Sequence, residues 1–168
     1  MKDAQETLVQ KALELGATKA KIIKTRDVVF DPRSFLKCRF GCQRWGRYWT
    51  CPPHLNFPIE LFRECYDKYK QAMIIQTADP KTGQEVALAV EKEAMLSTHF
   101  PFAMALVLCV QCEECSYPDP CRFPHLARPS MDALGVDIAK TIEPLGFKVE
   151  FDKEGKLLPT WYGMVLLD

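Results

Sequence analysis

The chain has 168 residues, 48% of them apolar, and its 22 basic and 22 acidic residues cancel. That length suits one domain spanning 1–168 with a sizeable core, and the charge balance argues against a general nucleic-acid or membrane-surface binder. No run of about 18 apolar residues predicts a membrane-spanning helix, and the N-terminal stretch lacks the long apolar run of a signal peptide, so the cytoplasm is the expected location.

Lys2 to Leu15 reads as a helix with Leu8, Ala12 and Leu15 on one face, stopped by Gly16. Ala20 to Lys24 alternates as a strand. Asp31 to Phe57 mixes proline, arginine, glycine and aromatic residues without a steady period and predicts a structured loop. Pro58 is placed to open a helix, along which Phe62, Cys65, Tyr66 and Tyr69 recur at helical spacing. Met73 to Gln76 follows as a buried strand, Asp79 to Gly83 as a turn, and Gln84 to Ser97 as a helix with Val86, Val90 and Ala94 along one side. Phe102 to Leu108 is the most apolar strand and ends at Cys109. Ser130 is placed as an N-cap, a broken helical region runs to about Glu143, and Pro144 disfavours its continuation. Phe147 to Phe151 and Trp161 to Leu167 complete the set, paired across the Asp152 to Pro159 connection. The pattern predicts an α/β or α+β fold, a sheet of about five strands flanked by helices, with two long cysteine-rich metal-binding loops at about 32–57 and 109–129.

The chemistry concentrates in those loops. Eight cysteines in a chain with no secretion signal read as metal or redox chemistry rather than a disulfide framework. Cys109, Cys112 and Cys115 stand at every third position, and Cys121 follows. Three thiolates so spaced wrap one corner of a cubane, whereas one tetrahedral zinc is more often built from two separated C-x-x-C pairs. The spacing therefore points to a [4Fe–4S] cluster, with zinc as the alternative. The first loop supplies Cys38, Cys42 and Cys51 among five basic residues (Arg33, Lys37, Arg39, Arg44 and Arg47) and no carboxylate between Pro32 and Ile59. Such charges offset an anionic cluster and raise its potential, and Trp45, Tyr48 and Trp49 are candidates to exclude water. Arginines interleaved with aromatic rings also suit nucleic-acid contact, which the neutral net charge opposes. In the second loop Glu113, Glu114 and Asp119 would favour a more reducing centre.

The first loop lacks a fourth thiolate. Cys65, His54, a cysteine of the other loop, or an open position for substrate are the options, with Cys65 otherwise reading as a packed core residue. His54 and His125 follow Cys51 and Cys121 closely and are further candidate ligands; His99 reads as structural. No phosphate-binding loop, dinucleotide fingerprint or nucleophile elbow is present.

The runs K-C-R-F-G-C with R-W-G-R-Y-W-T-C-P-P, and C-V-Q-C-E-E-C with C-R-F-P-H-L-A-R-P-S-M-D-A-L-G-V-D-I, resemble the two signatures of the predicted metal-binding proteins of prokaryotes, the domain family of unknown function numbered two-two-eight-four. The likeness covers most of the chain. It implies metal binding, with Cys38, Cys42 and Cys51 as ligands in one motif and Cys109, Cys112, Cys115 and Cys121 in the other, and it implies no particular reaction. Trp45-Gly46 stands where the family has tyrosine-glycine. Arg128 to Asp132 is retained almost intact and predicts a helix start beside the second loop, whose free N–H groups would face a cluster sulfur or an anion, or serve as an ordinary cap. The functional expectation is one or two [4Fe–4S] clusters in an electron-transfer or redox accessory protein with a ferredoxin-like or other redox partner. Its alternatives are a zinc-stabilised interaction module and a thiol–disulfide enzyme. Whether the chain is itself an enzyme is left open by its residues.

Overall fold

The computed structural model describes residues 2–55, 57–97, 99–149, 151–154 and 160–168. Helix α1 (Lys2–Glu14) ends at Gly16, whose φ of +107° lies where a side chain is strained. Strand β1 (Lys19–Lys24) runs into a long excursion that carries helices α2 (Ser34–Gly41) and α3 (Ile59–Tyr66). Then come β2 (Gln71–Thr77), α4 (Pro80–Leu96), β3 (Met104–Leu106), α5 (Ile138–Ile142) and β4 (Trp161–Leu167). Among the described residues these make an α+β fold with five α-helices and one four-stranded sheet in the order β1-β2-β4-β3. Every neighbouring pair is antiparallel, which excludes the parallel α/β alternative.

Strand side chains alternate between faces, so the sheet builds two cores. Met73, Ile75, Ala105, Val165 and Leu167 face Leu8 and Ala12 of α1 and Val86, Val90 and Ala94 of α4. Ile23, Ala72, Ile74, Leu106, Met164 and Leu166 face Tyr66 of α3, Leu134, and Ile142 of α5. The central strands β2 and β4 are covered on both sides, which is why they read as continuous apolar runs. Full burial of each large aliphatic side chain here contributes about 1.5–3 kcal/mol relative to exposure. No helix among the described residues is long and apolar enough to cross a membrane.

Several expectations are corrected. The 31–57 segment is not loop throughout, because α2 occupies its first third. Asp31 starts it: its carboxylate accepts the Arg33 N–H at 3.0 Å, and its carbonyl accepts the Ser34 N–H. The period was hidden because Leu36 and Phe40 on this helix stay exposed. The 79–83 run is a helix start rather than a turn. The Asp79 side chain accepts the Thr82 N–H at 2.9 Å, and Pro80 fills the first helical position, where no N–H is needed.

Among the described residues the sheet has four strands, where about five were expected. Phe147 to Val149 are not in a strand, and Glu150 and residues 155–159 of the expected hairpin lie outside the described residues. Gly146 at φ +73° folds Phe147 back so that its N–H reaches the Ile142 carbonyl, and its ring is buried against Tyr162. The expected 102–108 strand shortens to β3, because the Val107 N–H leaves the sheet for the Pro129 carbonyl.

Candidate metal centre

Beyond β3 the chain enters the second cysteine segment, and buried polar residues of α4 tie down both of its ends. Gln84, almost fully buried, accepts the Val110 N–H at 2.8 Å and donates to the Leu126 carbonyl at 3.2 Å. Glu91 accepts the Ala105 N–H at 2.8 Å and pairs with Arg128 through two bonds of 3.0 and 2.8 Å. Arg128 also donates to the carbonyls of His125 and Ala127. Neither Gln84 nor Glu91 was singled out from the sequence. Their signal is a polar side chain inside the helix stripe that should be apolar.

Held at both ends, the segment curls around a cleft enclosing about 370 Å³ including its open mouth. Cys109, Cys112, Cys115 and Cys121 all line it, with Gln111, Ser116 and Phe123. The opposite wall comes from the first cysteine segment, as Tyr48, Trp49 and Thr50. The two segments are docked on each other. Trp49 donates its indole N–H to the Asp119 carbonyl at 2.9 Å and meets Tyr117 edge to face. Arg44 donates to the Cys109 carbonyl at 2.8 Å while its guanidinium lies over the Tyr48 ring. Tyr48 and Trp49, expected with Trp45 to shield the first segment's own cysteines, thus cover those of the second.

The first segment gathers its thiols elsewhere. Cys38 lies on α2 and is buried, Cys42 follows at the exposed C-cap, and Cys51 is buried in a turn whose N–H reaches the Tyr48 carbonyl. A bond from the Gly46 N–H to the Pro52 carbonyl closes the loop between them. The Cys38 thiol donates to a carboxylate oxygen of Asp132, a long contact of 3.9 Å. Burial first, then Asp132 and the neighbouring Cys42 and Cys51, pushes the Cys38 pKa up to about 12. Burial likewise raises Cys51 to about 11, with Arg44 pulling the other way. The bare thiols at Cys38 and Cys51 are therefore neutral near pH 7.

The remaining candidates are not assembled with these groups. Cys65 is exposed on α3, so it is not the core residue its spacing suggested. The helix turns Tyr66 inward instead, where its hydroxyl donates to the Thr25 carbonyl. His54 stacks on Tyr117 at 4.0 Å between centroids and does not line the cleft; His125 and His99 are exposed. Ser130 is not a helix cap. Only a three-residue 3-10 turn, Asp132–Leu134, follows, with Met131 at its N-cap, and so short a turn offers no helix N-terminus to an anion. All eight cysteines are free thiols. Among the described residues, no three histidine, cysteine, aspartate or glutamate side chains converge as they stand on a single metal ion. The donor set of the cleft nevertheless fits an iron–sulfur cluster: four thiols on one wall system, one for each iron of a cubane.

Fold and site together define an α+β protein whose cysteine-rich segments close a thiol-lined cleft beyond the end of the edge strand β3. The chain belongs to the family described as predicted metal-binding protein (DUF2284), whose profile matches residues 21–167. No curated protein and no solved structure matches it.

Proposed function

We propose that Cys109, Cys112, Cys115 and Cys121 hold a [4Fe–4S] cluster and that the protein serves in electron transfer or as a redox accessory protein. One observation carries this reading: all four thiols of the run line a single cleft. When bound, the cluster supplies one-electron chemistry. The rest is the work of this chain's own residues. Tyr48 and Trp49 cover the cleft and limit water there, which tunes the potential of a bound centre. Arg44, bonded to the Cys109 carbonyl, brings a positive charge that favours the more anionic, reduced state. Lys37, Arg39 and Arg47 remain exposed on the covering segment, a basic face suited to steering an acidic ferredoxin-like partner.

The raised pKa values of Cys38 and Cys51 count against a thiol–disulfide enzyme acting through these residues, since the thiolate is the nucleophile. Anaerobically purified protein is expected to be brown, with iron and acid-labile sulfide in equal amounts. Colourless protein with stoichiometric zinc and no sulfide would replace this reading with a zinc-stabilised module.

A further inference from the structure

The second cysteine segment contains its own four thiols, whereas the first contains three and needs a fourth donor from elsewhere. We propose that the Asp132 carboxylate is that donor, making Cys38, Cys42, Cys51 and Asp132 the ligand set of a second iron–sulfur centre. The proposal rests on the iron–sulfur reading above and extends it to a residue that is not among the cysteine ligands of either motif.

Two segments distant in sequence meet here. Asp132 Oδ2 lies 3.9 Å from Cys38 Sγ, and Cys42 and Cys51 are close enough to interact electrostatically with Cys38. Cys51 is likewise within reach of Asp132. A ladder of hydrogen bonds holds the stretch just after the aspartate, residues 135–137, against residues 29–34. The Asp31 N–H reaches the Gly135 carbonyl at 2.9 Å, the Asp137 N–H reaches the Val29 carbonyl at 2.8 Å, and the Ser34 hydroxyl reaches the Val136 carbonyl at 3.3 Å. Phe30 and Val136 form a β-bridge. Gly135 sits at φ +87°, and a Cβ there would stand 3.2 Å from the Phe35 ring of α2. The turn bearing Asp132 is therefore pressed against the helix bearing Cys38 by a position where only glycine is unstrained.

The chemistry of the carboxylate fits the role. Among the described residues no lysine or arginine forms an ion pair with Asp132, so it is not engaged in the charge pairing that occupies Asp31, Glu91 and Asp137. Three thiolates and one carboxylate give four anionic donors, one for each iron of a cubane. Oxygen is the harder donor and suits iron less well than thiolate, so the iron at Asp132 is the exchangeable corner of the centre. Cys65 and His54, the donors suggested by spacing, lie elsewhere.

The test uses the full chain, purified anaerobically, with iron and sulfide analysis and paramagnetic resonance of the oxidised protein. Wild type is expected to carry two four-iron clusters that are silent in this state. Asp132→Ala and the isosteric Asp132→Asn are expected to lose one iron per chain and to show the oxidised-state signal of a three-iron cluster, or to lose the whole centre while the second segment's cluster remains. Asp132→Cys is expected to restore the silent state and the wild-type iron content, which a purely structural role for the carboxylate would not produce. Should Asp132→Ala fail to fold, Asp132→Asn and Asp132→Cys decide between the same outcomes. Wild-type iron content and spectra in both the Asn and the Ala variants would overturn the assignment of Asp132 alone. Wild-type protein without iron and sulfide would overturn it together with the cluster reading.

Discussion

Replacing Arg128 with Met tests how the second cysteine segment is anchored. The Glu91 side chain is only 6% exposed and that of Arg128 18%, so the pair is largely shielded from water. In Arg128→Met the Glu91 carboxylate stays buried with the Ala105 N–H as its remaining partner, and the carbonyls of His125 and Ala127 lose a donor. Stranding one member of a buried pair costs about 3–5 kcal/mol, a large share of the roughly 5–15 kcal/mol by which a domain is stable. The double variant Glu91→Met with Arg128→Met removes the stranded charge. It leaves mainly the unpartnered Ala105 N–H, at about 1–3 kcal/mol, so it should be more stable than Arg128→Met alone. Urea unfolding of the reduced, metal-free chain is the assay, because bound metal would break two-state behaviour. A loss below about 1 kcal/mol in Arg128→Met, or a double variant less stable than the single, would refute the argument that this pair is buried and mutually dependent.

Cys115→Ala is expected to lose the metal of the second segment while that of the first is retained, measured as metal per chain, because the two thiol groups occupy separate places. Cys65→Ala is expected to leave metal content unchanged and stability within about 0.5 kcal/mol in a denaturant melt, as for other exposed positions. Asp79→Ala is expected to destabilise α4. Hydrogen bonding from Thr82, through its side chain first and then its backbone N–H, holds the Asp79 pKa below its ordinary 3.8. Its contribution is therefore fully present above that unfolded value and is lost as pH falls through the lower folded one. Acid titration of stability should show a smaller loss across that window in Asp79→Ala than in wild type.

The elements legible in the sequence are those whose burial is one-sided or complete. Val86, Val90 and Ala94 gave away α4, and the apolar run at Trp161 to Leu167 gave β4, because core contact imposes a period. Helix α2 was not legible: Leu36 and Phe40 are exposed, so no stripe marks it. Phe147 to Val149 pattern as strand residues because a buried aromatic after a left-handed glycine resembles one, while the Phe147 backbone bonds back into a turn. For the candidate site, thiol spacing pointed to the four residues that line one cleft. The docking of one cysteine segment over the other was not legible. It depends on contacts such as Trp49 to Asp119 and Arg44 to Cys109, which join positions about 65 to 70 residues apart and leave no local pattern. Asp132 beside Cys38 escaped for the same reason.

The most direct test of the central claim compares iron and sulfide per chain in wild type and in a variant with Cys109, Cys112, Cys115 and Cys121 all changed to serine, both purified without oxygen. A deficit of about four irons and four sulfides in the variant is the predicted result. Equal contents in the two proteins, or wild type holding zinc in place of iron, would contradict it.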